Sequence, residues 1–151
     1  LLSPTRLIVA SPDRRRAVCE SKQCEGVRGL WWSPADRSFF ILQNLGWAKS
    51  QTGLLRWDAG DAAPRQIVVT NDVILGCEAA GGELVCAREG ATQPRRIVAI
   101  DMRTGRERIV HDPNPEFQRK RFGKIERFRF RNAYGVESFA DLVLPPDHKP
   151  G

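Results

Sequence analysis

One repeated phrase constrains this chain more than any other feature. Leu54-Leu55-Arg56-Trp57-Asp58, a turn and Arg65-Gln66-Ile67-Val68 are echoed by Ile97-Val98-Ala99-Ile100-Asp101, a turn and Glu107-Arg108-Ile109-Val110. The two aspartates stand 43 residues apart. A hairpin precedes each pair of strands: Trp31-Trp32-Ser33-Pro34 with Ser38–Asn44 before the first, and the Cys77/Cys86 segment before the second. Four antiparallel strands in roughly 43 residues is the size of a propeller blade. A β-sandwich also spaces its strands evenly, but it does not predict the repeated strand-Asp-turn-strand phrase. The expected fold class is therefore all-β, a partial β-propeller of two four-stranded blades at 27–69 and 70–111.

The local signals agree. Short β-branched and aromatic runs dominate, and long amphipathic helices are absent. The strand candidates are Arg6–Ala10, Arg37–Asn44, Leu54–Asp58, Arg65–Val69, Val73–Ala79, Glu83–Glu89, Ile97–Asp101 and Glu107–His111. Turns punctuate them at Ser33-Pro34-Ala35-Asp36, Ala59-Gly60-Asp61, Gly81-Gly82 and Arg103-Thr104-Gly105. Past His111 the texture changes. Asp112-Pro113-Asn114-Pro115 breaks the blade pattern, Glu116–Lys124 is a charged connector, and Ile125–Leu144 forms a hairpin about Asn132-Ala133-Tyr134-Gly135. Three units are expected: 1–26 as the end of a preceding blade with a disulfide-closed loop, 27–116 as two blades, and 117–151 as a connector and the first hairpin of another domain. The opening Leu1-Leu2-Ser3-Pro4 and the closing Pro150-Gly151 read as the middle of a longer chain, because two blades cannot close a ring.

The 151 residues are 41% hydrophobic and 28% charged, a globular composition, with no apolar run long enough for a membrane span. The net charge of +6 is partly concentrated between Arg119 and Arg131, where seven Lys/Arg face one acid, Glu126. A basic stretch with Phe128 and Phe130 alternating against arginines resembles the stacking strands of RNA readers. The simpler reading puts both phenylalanines in the core and the arginines toward water or a polar cavity. It is preferred, and nucleic acid is not an expected partner.

Four cysteines fall as two close pairs, Cys19/Cys24 and Cys77/Cys86. Gaps of four and eight residues, with His111 and His148 remote, do not match zinc-ligand spacing, and no metal is expected. Folding Val73–Ala80 back on Glu83–Arg88 about Gly81-Gly82 pairs Ala80 with Glu83 and places Cys77 opposite Cys86. That is a non-hydrogen-bonded position, where Cα atoms approach to roughly 4.5 Å and a disulfide fits. Cys77–Cys86 and Cys19–Cys24 are thus the expected bridges. They point to an oxidising compartment, periplasmic or otherwise exported, with the cytoplasm as the alternative.

No nucleophile elbow, phosphate-cradling loop or acidic metal loop is present, so no catalytic residue and no cofactor is assigned. His111 and His148 read as structural or solvated. Trp31 and Trp32 point to opposite sides of one strand, so at most one enters a given core layer. Trp47, in the Gly46–Thr52 loop, is the tryptophan with most claim to exposure and a candidate ligand contact, and packing in the core or at its rim is the preferred reading.

The phrases together resemble a known family. Trp32-Ser33-Pro34-Ala35-Asp36-Arg37 is similar to the Trp-Ser-Pro-Asp-Gly-Lys phrase that opens propeller strands in prolyl-oligopeptidase serine peptidases, with Ala35-Asp36 in place of the usual Asp-Gly. Phe130–Glu137 and Asp141-Leu142-Val143-Leu144-Pro145-Pro146-Asp147 resemble the start of that family's α/β-hydrolase domain. Gly29–Pro34, Cys86–Gly90 with Pro94–Val98, and Asp112–Phe117 look most like lasso peptide isopeptidases. The resemblance implies amide hydrolysis by a Ser, His and Asp on the hydrolase domain, through an acyl-enzyme and an oxyanion hole. It also implies a lasso peptide as substrate, and the rest of the propeller and the hydrolase domain as partners. The propeller's part would be to cap the active site and contact the peptide. Arg119 and Arg121, facing the hydrolase, are candidates to meet an acidic substrate. The competing readings are a non-enzymatic propeller scaffold for protein–protein binding and another oligopeptidase of the same family.

Overall fold

Phe40-Ile41-Leu42 and Leu54-Leu55 are buried at consecutive positions, which a strand permits only when both of its faces are covered. The computed structural model describes residues 6–13 and 15–148, and it shows what covers them. Strands β1 (Ile8–Ala10) and β2 (Arg16–Val18) form a small antiparallel pair. A four-stranded antiparallel sheet follows: β3 (Gly29–Ser33), β4 (Ser38–Leu45), β5 (Gln51–Asp58) and β6 (Arg65–Thr70), paired in chain order. The second sheet repeats that order with β7 (Val73–Ala80), β8 (Glu83–Gly90), β9 (Gln93–Asp101) and β10 (Glu107–His111). The expected all-β fold with two four-stranded, propeller-like blades is what the structure contains. The chain's first four residues and its last two, whose sequence suggested a longer chain, lie outside the described residues.

The blades share one core. Phe40, Leu42 and Leu54 of the first pack against Ile74, Leu84, Cys86, Val98, Ile100 and Met102 of the second, with Trp31 at the margin. On the other face of the first blade, Ile41, Leu55 and Trp57 pack with the buried Cys19–Cys24 bridge, supported by Leu7, Val9, Ala17 and Val27. The middle strands are therefore lined on both sides. Trp31 and Trp32 divide as alternation requires, the first toward the shared core and the second 48% exposed against Phe39.

The repeated aspartate ends equivalent strands but does different work in the two blades. Asp58, paired in register with Ser38, accepts from the Ser38 hydroxyl and from Arg56 Nε at 3.0 Å. Asp101 instead caps its own turn, accepting from the Arg103 and Thr104 amides at 3.0 and 2.7 Å. Gly105 completes that turn with a φ of 74°, a left-handed value that a side chain would strain. These hydrogen bonds, Ser38's foremost at Asp58 and Thr104's at Asp101, hold both carboxyl groups below the ordinary Asp range.

The hairpin register at Gly81-Gly82 runs as expected from Ala80↔Glu83 to Glu78↔Val85 and then shifts. Gly76 adopts φ 58°, so Gly76 and Cys77 together oppose Cys86 in a β-bulge. The Cys77–Cys86 bridge still forms, with the Cα atoms 4.1 Å apart. β9 begins four residues earlier than its sequence suggested, despite Pro94. Over 93–96 it pairs only with β8, so a missing proline N–H costs no bond on the other side.

Past the blades, Pro115–Arg119 forms a short 3-10 turn, and β11 (Ile125–Arg131) and β12 (Glu137–Val143) form the last hairpin. Here one expectation is overturned. Phe128 and Phe130 do not face a core: they are 48% and 45% exposed. The arginine face of the hairpin is the one turned toward the first blade, and no described element covers the opposite face.

Candidate functional site

The loop between β4 and β5 carries two of the three non-glycine residues with positive φ among the described residues. Gly46 turns it with φ 71°, and Ala48 and Lys49 both hold left-handed φ values near 51° and 52°. Side-chain residues occupy that region only when their surroundings impose it, at a cost of about 1–3 kcal/mol each. Two backbone bonds tighten the loop from within, Lys49 N–H to Gly46 O at 3.1 Å and Ser50 N–H to Trp47 O at 3.0 Å.

The hairpin holds the loop from outside. Trp47 Nε1 donates to Ser138 O at 2.8 Å, and the Arg131 guanidinium lies 5.1 Å from the Trp47 ring centroid. Glu137 accepts from the Ala48 amide, and Arg127 donates to Ser50 O at 2.8 Å. Arg127 is itself fixed by a two-pronged pair with Asp141, both bonds 2.6 Å, and lies 4.6 Å from the Phe139 ring centroid. Trp47 is thus half-buried and serves as a clamp, and Trp32 is the exposed tryptophan. Replacing Trp47 by alanine removes a hydrogen bond, a cation–π contact and packing, together about 2 kcal/mol. Amide exchange in the β11–β12 ladder is expected to quicken roughly thirtyfold without change in the blade cores. Unchanged exchange would show that the hairpin is held by something else.

Clamping the hairpin closes a cleft of about 740 Å³. Its walls come from segments 49–52, 71–73 and 89–94 of the blades, from Arg28 and Asn44, from the connector, and from the hairpin through Arg127, Phe139 and Asp141. Phe117 and Phe122 form an aromatic side, their rings stacked at 6.0 Å. The rest is rich in amides, with Asn44, Gln51, Asn71 and Gln93 all on the surface. Such a mixture of fixed polar groups and aromatic area suits a ligand with its own amides. Among the described residues, no three His, Cys, Asp or Glu side chains group as a metal site.

Of the residues singled out in the sequence, the structure joins some and separates others. Trp47 adjoins the cleft through its loop. Arg121 pairs with Asp147 at 2.9 Å on the surface, and Arg119 lies exposed in its 3-10 turn; neither lines the cleft. Phe117 and Phe122, two positions before and one after them, do. The run of charge drew attention to the arginines, while two phenylalanines five residues apart in a connector carry no periodic signal. The two disulfides, Cys19–Cys24 and Cys77–Cys86, are structural staples away from this surface.

Asp141 lies below its ordinary range, chiefly through the hydrogen bond from Arg127. A carboxyl whose folded value is depressed stabilises the fold above its unfolded value, and that contribution disappears as pH falls through the folded one. Anchoring of the hairpin is therefore expected to be constant from neutrality to about pH 5 and to weaken below about pH 4. Amide exchange in β11–β12 followed against pH checks this. The Asp141→Asn protein should show faster exchange at neutral pH and a flatter acid response.

No family model matches this chain. The chain is 34% identical over 149 residues to lasso peptide isopeptidase AtxE2 of Asticcacaulis excentricus, a match covering 99% of this chain. It superposes on the structure of an AtxE2 isopeptidase variant with Astexin3-dC4 bound at a TM-score of 0.89, covering 99% of this chain and 23% of that one. On the apo AtxE2 isopeptidase the TM-score is 0.88, over 97% of this chain and 22% of that one, again at 34% identity. The chain spans about a fifth of the length of the curated relative it matches, 21%. Along nearly its whole length, then, this chain is similar in sequence and in fold to one stretch of a lasso peptide isopeptidase.

Proposed function

We propose that this chain is the propeller segment of a serine hydrolase of the prolyl-oligopeptidase type that opens lasso peptides. The bond cut would be the isopeptide bond joining the peptide's N-terminal amine to an Asp or Glu side chain. In this reading 1–26 end a preceding blade, 27–116 are two blades, and 117–151 lead into the hydrolase domain. The Ser, His and Asp that do the chemistry belong to that domain. The segment's own work is to wall the substrate chamber, admit peptides by size, and hold part of the peptide against the cleft. Its two disulfides favour an exported, periplasmic protein.

The observation that carries this proposal is the match to AtxE2, identity and superposition together, along 99% of the chain. A cleft built jointly by blade loops and the hairpin supports the substrate-contacting role, since pockets favour the junction of structural units. The test is to incubate the full-length protein with a lasso peptide and weigh the product. A gain of one water, with the ring opened and every backbone amide intact, is expected. Cleavage of linear peptides with lasso peptides untouched would assign the protein to ordinary oligopeptidases instead.

A further inference from the structure

Charge in the cleft is unevenly matched. Its three carboxylates each have a guanidinium: Asp72 pairs with Arg88 at 2.7 Å, Glu89 with Arg95 at 2.8 Å, and Asp141 with Arg127 at 2.6 Å. Two of its cations pair with no carboxylate among the described residues. Among the described residues Arg28 donates only to neutral acceptors, Asn44 Oδ1 at 2.8 Å and Ile74 O at 3.3 Å. Lys49, on the strained loop, has no ion pair among the described residues. The wall therefore carries two unneutralised positive charges beside amide side chains that can donate.

Two further groups point the same way. Ser50 Oγ and Gln93 Nε2, from lining residues on opposite blades, are buried and have no hydrogen-bond partner among the described residues. Buried polar groups are ordinarily satisfied, so this pair leaves hydrogen-bonding capacity unused in residues that line the cleft. Gln93 Nε2 donates, and the Ser50 hydroxyl can donate or accept. Cations and donors together call for an anion with several acceptor oxygens, and the stacked Phe117 and Phe122 call for an apolar side chain beside it.

We infer that this cleft is a subsite for a peptide carboxylate, held by Arg28 and Lys49, with a neighbouring apolar side chain against Phe117 and Phe122. The carboxylate is an Asp or Glu side chain or a peptide C-terminus, since both present the same two oxygens. This moves the meeting point with acidic substrate away from Arg119 and Arg121, whose side chains lie outside the cleft. It rests on reading the chain as the wall of a peptide-binding chamber.

Three synthetic peptides test it by calorimetric titration of the full-length protein at low salt. One is N-acetyl-Gly-Phe-Asp-Phe-Gly amide, the second has Asn for Asp, and the third is the Asn peptide with a free C-terminus. At least one carboxylate peptide is expected to bind roughly tenfold tighter than the neutral one. Which of the two does so identifies the source of the carboxylate. In the Arg28→Gln/Lys49→Gln protein that preference should vanish while the neutral peptide's affinity stays as it was, the melting temperature falling only by what the Arg28 bonds to Asn44 and Ile74 O contribute. Equal binding of all three, or no binding of any, overturns the inference. So does a double variant that weakens all three peptides alike, because the two cations would then act on the fold and not on charge. The two readings separate cleanly. A protein that opens lasso peptides but binds the three peptides alike keeps its function and loses this subsite, and one that discriminates them without opening any lasso peptide does the reverse.

Discussion

Replacing Trp57 by alanine is expected to destabilise the propeller by about 3–5 kcal/mol. Trp57 is fully buried and packs with Leu55, Ile41 and the Cys19–Cys24 bridge. Its Nε1 donates to Asp61 O at 2.9 Å, which fastens the turn that follows the repeated aspartate. Alanine would leave both a cavity and an unpaired carbonyl. Trp57→Phe separates the two terms: it keeps most of the apolar volume and loses chiefly the hydrogen bond, about 1–3 kcal/mol. Denaturant midpoints of the three proteins measure the series. A Trp57→Phe protein as unstable as Trp57→Ala would show that the turn, not the core, is what the indole supports.

Removing the Cys77–Cys86 bridge comes second. It closes a loop with a sequence separation of 9, for which chain entropy gives roughly 2.5–3 kcal/mol. The Cys19–Cys24 loop, with a separation of 5, is worth somewhat less on the same basis. Cys86 also lies in the core shared by the blades, so Cys77→Ala/Cys86→Ala adds a small packing loss there. Cys77→Ala alone keeps the buried sulfur and isolates the cross-link. Both proteins should unfold at lower denaturant, with the double variant the weaker. Equal stability of the bridged and unbridged proteins would mean that the Gly76 bulge and the Gly81-Gly82 turn alone hold the hairpin.

The blades were legible in the sequence because their signals are local and repeated. Strand-Asp-turn-strand at a fixed interval, with turns rich in Gly, Pro and Asp, names the architecture before any contact is known. Even the Cys77–Cys86 bridge follows from counting outward from Gly81-Gly82, and only the bulge at Gly76 escaped that count. A glycine can take φ 58° or an extended value at little cost, so its sequence does not say which.

The cleft was not legible, because nothing local specifies it. Lys49, Gln93 and Phe122 come together only when two blades and a hairpin meet, and each is unremarkable in its own segment. Alternation correctly put Phe128 and Phe130 on one face and Arg127, Arg129 and Arg131 on the other. It could not say which face the first blade would take. The blade took the arginine face, since Arg127 finds Ser50 O there and Arg131 finds Trp47. The same long-range meeting makes Trp47 the clamp that holds the hairpin against the first blade, a partner its own loop could not name.

The central claim, that this segment forms a wall against which substrate lies, is tested most directly by cross-linking. A photoreactive benzophenone side chain placed at Phe122 in the full-length protein faces the cleft, and one placed at Ile109 on β10 sits on an exposed strand outside it. Irradiation with a lasso peptide present is predicted to attach the peptide at position 122 and not at 109. Attachment at neither position, or at both equally, would contradict the account.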